Sequence, residues 1–240
     1  GVPEGAELSA GTDNGDGSWT LDAADLEGLT ITPAADSDTD FTLDVTATST
    51  DGGTSTASVD VAVAADADAP DLSAEDVSGS EDTAIALDLS SAVTDTDGSE
   101  SIGSVTIGGV PEGAELSAGT DNGDGTWTVD TGDLGGLSIT PPADFSGSFD
   151  LSVTSTSTDT DGDTGATDTA TSTTTFEVNV AAVEDAPDLS VSDASGTEDQ
   201  AISLDIGASV AGTEDVASVT IDGVPEGAEL SAGTDNGDGS

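Results

Sequence analysis

The stretch Gly109-Val-Pro-Glu-Gly-Ala-Glu-Leu-Ser-Ala-Gly-Thr-Asp-Asn-Gly-Asp-Gly125 occurs three times in this chain of 240 residues. The copies begin at residues 1, 109 and 223, and so lie 108 and 114 residues apart. These intervals are longer than those of solenoid repeats and fit one β-sandwich domain each. The spacing therefore predicts a tandem array of domains.

A second repeated string predicts where the domains meet. Ala69-Pro70-Asp71-Leu72 recurs as Ala186-Pro187-Asp188-Leu189. If each proline marks a junction, residues 71–187 form one complete repeat. Residues 1–70 are then the C-terminal part of a preceding repeat, and residues 188–240 are the N-terminal part of a following one.

Short segments of alternating apolar and polar residues predict strands within the central repeat. The apolar positions are Ile85/Leu87/Leu89, Val105/Ile107, Trp127/Val129, Leu137/Ile139, Phe149/Leu151/Val153 and Phe176/Val178/Val180. With residues 114–118 this gives about seven strands, a number typical of immunoglobulin-like sandwiches. The predicted fold is therefore all-β, with tandem β-sandwich domains in a linear array.

Three details of the central repeat are predicted from local pattern. Trp127 follows the turn at residues 121–125 and is expected to be the main core anchor. That turn contains Asn122-Gly123, a favoured hairpin pair, so we interpret it as a turn, with a calcium loop as the alternative. Residues 159–169 are expected to lengthen a loop that is short at residues 51–54.

The charge of the chain determines which partners are possible. It carries 51 acidic side chains and no lysine, arginine or histidine, which gives a formal net charge of −51. Such self-repulsion opposes a compact state, so folding needs counterions. Metal ions are the expected partners, and neither nucleic acid nor insertion of this segment into a membrane is expected. Low aliphatic content favours disorder, but the strand periodicity argues against it.

The residue types that are missing exclude most catalytic chemistry. Without His, Cys, Lys or Tyr, the usual bases and nucleophiles are absent, and so are the main ligands of zinc, copper and haem. A two-carboxylate glycosidase stays formally possible, but aromatic residues make up only 2% of the chain. We therefore expect no enzymatic activity. The remaining oxygen ligands suit Ca²⁺.

A calcium site needs carboxylates that converge from several segments, and a junction between sandwich domains brings a linker and two sets of loops together. Asp66, Asp68 and Asp71 surround Pro70 at the first junction. Glu184, Asp185 and Asp188 surround Pro187 at the second. Away from the linkers, Asp159, Asp161 and Asp163 have the spacing of ligand positions 1, 3 and 5 in a calcium-binding loop. The bidentate glutamate at position 12 of such a loop is missing. A solvated acidic loop is the alternative there.

These junctions resemble cadherin-type calcium sites. Each has an acidic, proline-containing linker followed about ten residues later by an acidic pair, Glu81-Asp82 or Glu198-Asp199. An Asp-x-Asp loop, Asp95 to Asp97, follows the first junction by about 27 residues. Together with the long repeated string, this pattern is similar to the cadherin-like tandem repeats of giant bacterial adhesins secreted by type I systems.

The resemblance implies calcium ligands and a location. At the first junction the implied ligands include Asp95, Asp97 and Glu100, and at the second Glu81 or Asp82. The third repeat has Gly212-Thr-Glu214-Asp215 where the second has the Asp-x-Asp loop. Either Glu214 and Asp215 substitute for that loop, or the second junction binds fewer ions and bends more. Extracellular extender domains that project an adhesive tip in cell adhesion and biofilms are the implied context.

The expected function is therefore that of calcium-rigidified extender repeats in a stalk or fibre, with neighbouring repeats as partners. An alternative is a subunit of a self-assembling filament or matrix, because residues 1–18 and 223–240 are identical. Separate chains would then complete each other's split domains by donated strands. A carbohydrate- or ice-binding module would need an aromatic platform or a flat threonine array, and the irregular Thr-rich stretch 154–175 favours a loop and edge strand instead.

Overall fold

The computed structural model describes residues 1–95, 97–212 and 214–236, so the end of the third copy of the long repeat lies outside the described residues. The described residues form twenty strands and one short 3-10 helix. The prediction of an all-β chain is therefore confirmed. Within the same residues, no helix has the length and apolar character needed to cross a membrane.

The N-terminal segment consists of three separate antiparallel pairs. Its strands are β1 (Glu7–Leu8), β2 (Thr12–Asp13), β3 (Trp19–Thr20), β4 (Ile31–Thr32), β5 (Phe41–Thr48) and β6 (Thr54–Val61). Strand β1 pairs with β4, β2 with β3, and β5 with β6. Most of its side chains are at least partly exposed.

The central segment contains the next twelve strands. They are β7 (Asp71–Ala74), β8 (Val77–Ser80), β9 (Ile85–Ala86), β10 (Leu89–Ala92), β11 (Glu100–Ser101), β12 (Ser104–Gly108), β13 (Glu115–Leu116), β14 (Thr120–Asp121), β15 (Thr126–Asp130), β16 (Ser138–Thr140), β17 (Gly147–Thr160) and β18 (Thr167–Ala181). The 3-10 helix, Thr131–Gly136, connects β15 to β16.

These strands form one large sheet and two small ones. The large sheet has seven strands in the order β14-β15-β12-β17-β18-β8, with β11 added beside β17. Strand β8 runs parallel to β18, and the other pairs are antiparallel. The small sheets are β13-β16-β9 and β10-β7.

One hydrophobic core joins the large sheet to the small ones. Ile107 and Leu151 of the large sheet and Ile139 of the three-stranded sheet are completely buried in it. Trp127 packs against this core but is only partly buried, so the prediction that it is the main core anchor is wrong. Trp127 lies on β15, where it is opposite Asp121 of the edge strand β14.

The hairpin of β17 and β18 is the longest element of the chain. The loop expected at residues 159–169 is shorter than predicted, because β17 continues to Thr160 and β18 begins at Thr167, which leaves residues 161–166 as the loop. Threonines face each other across its outer surface: the hydroxyl oxygens of Thr154 and Thr173 are 3.1 Å apart. The interpretation of residues 154–175 as a loop and edge strand is therefore correct only in part, because the loop is confined to residues 161–166 and the rest of the stretch is paired strand. Uncharged, β-branched threonines opposite each other favour this strand pairing.

The C-terminal segment contains two strands, β19 (Asp188–Val191) and β20 (Ile206–Ser209), which pair antiparallel. Their register, in which Leu189 lies opposite Ala208, repeats that of Leu72 opposite Ser91 in β7 and β10. Most large apolar side chains of this segment, such as Leu189, Leu204 and Ile206, are exposed, in contrast to those of the central core.

Leu87 and Leu204 occupy equivalent positions of the repeated sequence, so substitutions at both of them test this core. Leu87 is buried, whereas its repeat equivalent Leu204 is exposed. We expect Leu87→Ala to lower the free energy of unfolding by about 2–5 kcal/mol, because it leaves a cavity. Leu204→Ala should change it by less than about 0.5 kcal/mol in dilute solution. Denaturant titration of both variants measures this, and equal losses would contradict the assigned core.

Candidate metal centre

Three carboxylates lie side by side across the large sheet, next to the segment before Pro70 where the sequence predicts the first junction. Glu100 of β11 is opposite Asp159 of β17, and Asp159 is opposite Asp168 of β18. Residues that are directly opposite each other in paired strands point to the same face of a sheet. We call Glu100, Asp159 and Asp168 the carboxylate row.

The linker before Pro70 lies across this row and donates three consecutive backbone N–H groups to it. The N–H of Asp66 donates to Asp159 Oδ2 at 3.1 Å. The N–H of Ala67 donates to Asp168 Oδ2 at 3.1 Å, and the N–H of Asp68 donates to Glu100 Oε1 at 2.8 Å. Each member of the carboxylate row therefore accepts one hydrogen bond from a backbone N–H group of the linker.

Two serine hydroxyls of the same hairpin hold the linker carbonyls. Ser157 Oγ donates to the carbonyl oxygen of Asp68 at 2.5 Å, and Ser172 Oγ donates to that of Pro70 at 2.7 Å. The linker is consequently bound to the hairpin through both its N–H and its C=O groups. This leaves it little freedom to act as a hinge.

Two oxygens of the carboxylate row are buried without a partner. Glu100 and Asp159 are only 7% and 3% exposed. Glu100 Oε2 and Asp159 Oδ1 have no hydrogen-bond partner among the described residues. Two opposed, buried carboxylates repel each other and lose hydration, and the chain has no cationic side chain to offset this. An oxygen-binding cation fits these two atoms.

A second acidic loop lies beside the row. Asp95 is buried and accepts the N–H of Asp97 at 2.7 Å, while Asp97 accepts the N–H and hydroxyl of Ser99. Burial raises the pKa of Asp95, and the carboxylates of Asp97, Asp36 and Glu100 raise it further. The hydrogen bonds from Ser99 lower the pKa of Asp97. The Asp95 carboxyl group is therefore buried next to other carboxylates.

The tip of the long hairpin reaches the preceding segment. The N–H of Gly162 donates to Asp38 Oδ2 at 3.3 Å, and the N–H of Asp40 donates to Asp163 Oδ2 at 3.2 Å. Asp161, at the start of this tip, is buried, and hydrogen bonds from Thr164 lower its pKa. The first junction thus combines the loop 36–40, the linker and the hairpin of the following segment.

A separate cluster lies next to the second junction. Asp82, Asp144 and Asp185 each offer a carboxylate oxygen, and these oxygens lie within 4.8 Å of one another. Burial raises the pKa of Asp144, and the carboxylates of Asp82, Asp185 and Glu81 add to the effect. Asp82 and Asp144 have φ values of 58° and 55°, a left-handed conformation that aspartate tolerates better than most residues.

The two junctions share one contact. The N–H of Asp185 donates to Glu214 Oε2 at 3.3 Å, just as that of Asp68 donates to Glu100. Glu214 therefore takes the place of Glu100. No carboxylate takes the place of Asp95, because Gly212 occupies this part of the loop and lies against Asp144. Glu81, which is buried, accepts the N–H of Val183 at 2.6 Å.

The structure brings together most, but not all, of the predicted ligands. At the first junction it places Asp66, Asp68, Asp95, Asp97, Glu100, Asp159, Asp161 and Asp163 together, and at the second Glu81, Asp82 and Asp185. Five predicted residues have exposed side chains outside these contacts: Asp71, Glu184, Asp188, Glu198 and Asp199.

Several acidic residues of the clusters were not predicted. Asp36 and Asp144 occupy the same position of a repeated string, Ile-Thr-Pro-x-Ala-Asp at residues 31–36 and 139–144, which was an available signal. Asp168 had no such signal, because only the hairpin register places it beside Asp159. The turn at residues 121–125 is a hairpin turn in which Asp121 accepts the N–H of Gly123 at 2.8 Å, and it lies outside both clusters.

The chain matches no protein-family model and no curated protein. Its function is therefore inferred from the two clusters and from the contacts between the linker and the carboxylate row. These contacts connect segments that are distant in sequence.

The raised pKa values predict an unusual pH dependence without metal. Asp95 and Asp144 have folded-state pKa values above their unfolded values, so each contributes stability at low pH that is lost as the pH rises through the folded pKa. In chelator, the melting temperature should therefore rise as the pH falls from about 7 towards about 4. The lowered pKa values of Asp97 and Asp161 have the opposite effect, which begins only as the pH approaches about 4, where these carboxyls take up protons in the unfolded chain.

Asp95→Asn should reduce this rise, because it removes one of the two raised groups. Asp88→Asn is the control, since Asp88 is an exposed carboxylate of the same segment. Thermal melts of the three proteins across the pH range measure the slopes. Equal slopes for Asp95→Asn and the unchanged chain would contradict the electrostatic assignment.

Proposed function

We propose that this chain is part of an extracellular structural array whose consecutive domains are clamped by calcium at their junctions. The observation that carries the proposal is the pair of buried, unpartnered oxygens on Glu100 and Asp159, next to a linker that both residues hold. The proposed repeats are immunoglobulin- or cadherin-like sandwiches with borders near Pro70 and Pro187. Both acidic clusters lie next to these borders, which supports the division.

Calcium is the cation that the available ligands favour. Every candidate ligand is a carboxylate, hydroxyl or carbonyl oxygen, which are the ligands of hard cations. Ca²⁺ accepts six to eight such oxygens in flexible geometry, whereas Mg²⁺ requires an octahedron and keeps several waters. Loops and a linker from different segments supply an irregular ligand set of the kind that Ca²⁺ accepts.

The proposed mechanism is mechanical. At the first junction, bound calcium would neutralise Glu100 and Asp159 and so strengthen the surface that holds the linker. Without the cation, repulsion among these carboxylates and Asp95 opposes the closed arrangement. The free energy of ion binding thereby becomes free energy of folding and of joint stiffness. The array would change from a flexible acidic chain to a semi-rigid rod.

The extracellular location rests on two features. The pattern of linker, acidic pair and repeated string is similar to that of cadherin-like adhesin repeats. The absence of lysine and arginine also removes the cleavage sites of trypsin-like proteases, which suits an exposed stalk. Neighbouring repeats and calcium are the proposed partners, and no catalytic role is proposed.

Chelation tests the calcium clamp. At calcium concentrations a hundredfold above Kd, binding stabilises the folded state by about 2.7 kcal/mol per site. We therefore expect excess EDTA to lower the melting temperature and to decrease the maximum dimension measured by small-angle X-ray scattering. Calcium should restore both, and magnesium should restore them less.

A double substitution, Glu100→Gln with Asp159→Asn, should greatly reduce the calcium-dependent shift in melting temperature. The matched control is Asp121→Asn with Asp124→Asn, which removes the same charge from the exposed β14–β15 turn. An unchanged response to EDTA in the unsubstituted chain, in both melting and dimension, would refute the proposal. Equal responses of the two double variants would refute the assigned site.

A further inference from the structure

Threonine occupies alternate positions along both strands of the β17–β18 hairpin. Every second residue from Thr154 to Thr160 and from Thr167 to Thr175 is threonine. Successive side chains of a strand point to opposite faces of its sheet, so these threonines share the face that is turned away from the hydrophobic core. All those of β18 are exposed, and so are Thr156 and Thr160 of β17. The spacing of threonine is therefore regular within each strand and is interrupted only by the loop at residues 161–166.

The strand register extends this array across the large sheet. One row of opposed threonines crosses five strands and consists of Thr120 in β14, Thr128 in β15, Thr106 in β12, Thr154 in β17 and Thr173 in β18. Neighbouring strands are about 4.8 Å apart, and alternate residues of one strand are about 6.7 Å apart. We call the outward threonines of β17 and β18, together with Thr106 and Thr128, the threonine face.

Hydrogen bonds connect the hydroxyl groups of two central pairs on this face. The hydroxyl oxygens of Thr154 and Thr173 are 3.1 Å apart, and those of Thr156 and Thr171 are 3.2 Å apart. A hydroxyl group has one hydrogen and two lone pairs, so each pair can still form hydrogen bonds to water. Because threonine is β-branched, its χ1 angle is restricted. The face therefore presents hydroxyl and methyl groups at repeating positions.

The hairpin part of the threonine face is uncharged, although the chain has 51 acidic side chains among its 240 residues. The outward acidic residues of the two strands, Asp150 and Glu177, are opposite each other beyond one end of the threonines. A carboxylate orients nearby water around its own charge. Hydroxyl and methyl groups have no net charge, so the spacing of the array determines how water is arranged on this face.

The same two pairs occur in the preceding repeat. In the β5–β6 hairpin Thr46 is opposite Thr56, and Thr48 is opposite Thr54. These four residues are exposed and are the repeat equivalents of the two central pairs of the threonine face. The outward residue that precedes them in β5 is Asp44, whereas the corresponding residue of β17 is serine. The paired threonines are thus repeated where a charged neighbour is not.

The chemistry of the threonine face favours ordered water as its ligand. A neutral sugar is usually bound by stacking on an aromatic ring, and the face contains none, because Trp127 lies on the core side of β15. The water molecules of ice repeat at intervals close to the two spacings of the array. Hydroxyl groups can therefore replace waters of a crystal surface, and methyl groups can occupy the gaps between them.

We propose that the threonine face binds the surface of growing ice crystals. Sheet twist rotates adjacent strands by about 20–25°, so the match is limited to a few neighbouring strands. The expected effect is accordingly slower growth of ice crystals, with little depression of the freezing point. This activity is independent of the calcium clamp, because Asp159 of the carboxylate row points to the opposite face of β17 from the threonines.

Partition into ice tests the proposal. A dilute solution of the protein in calcium is frozen slowly from a cold surface, which excludes ordinary solutes, and the protein is measured in the ice and in the remaining liquid. We expect the unsubstituted chain to enter the ice at several times the concentration of Thr173→Tyr. The tyrosine ring would project beyond the threonine methyls and separate the face from the crystal, while its high β propensity supports the strand.

Thr140→Tyr is the matched control, since Thr140 is an exposed residue of β16 in the three-stranded sheet. It should enter the ice like the unsubstituted chain. Thr156→Tyr is a second variant of the threonine face and should be excluded like Thr173→Tyr. Melting temperatures in calcium show which variants fold, and the effect of EDTA on the melting of Thr173→Tyr tests the calcium clamp separately.

Exclusion of the unsubstituted chain from ice would overturn the proposal. So would equal entry of the folded variants at Thr173, Thr156 and Thr140. Retention of the unsubstituted chain on cellulose, lost in Thr173→Tyr and combined with exclusion from ice, would assign the face to a neutral polysaccharide instead.

Discussion

The absence of any cationic side chain is the constraint on which the rest of the structure depends. With 51 acidic residues and no lysine, arginine or histidine, no buried carboxylate can form an ion pair with another side chain. Backbone N–H, hydroxyl and side-chain amide groups are therefore the donors that the chain offers to its carboxylates. At the first junction three linker amides serve this purpose, and two buried oxygens are still without partners.

The inner face of β17 connects the hydrophobic core to the first junction. Along this strand the buried positions change from Leu151 and Val153 to Ser155 and Ser157, and then to Asp159. The apolar residues fix the strand in the core, and Ser157 donates a hydrogen bond to the linker carbonyl of Asp68. The core thereby positions the Asp159 carboxylate, which binds the linker. Apolar packing and the electrostatic contact to the linker are thus both made by β17.

Much of the fold was predictable, because alternation of apolar and polar residues depends only on neighbours in sequence. The candidate site was predictable only in part. Asp95, Asp97 and Glu100 belong to a local acidic motif, whereas Asp168 enters the carboxylate row through strand register. The burial of Trp127 was likewise predictable only in part. The sequence pattern indicated that its side chain faces inward, but it did not indicate that β15 lies next to the edge strand of the sheet.

The sequence by itself determined the repeat length, the all-β class, the lack of cationic side chains and a set of candidate ligands that consists of oxygen atoms. These follow from composition and local periodicity. Only the tertiary structure decided which carboxylates meet and which of them are buried. The physical reason is that these properties depend on contacts between residues up to about a hundred positions apart, such as Ala67 with Asp168. Strand pairing and core packing create such contacts, and local pattern does not specify them.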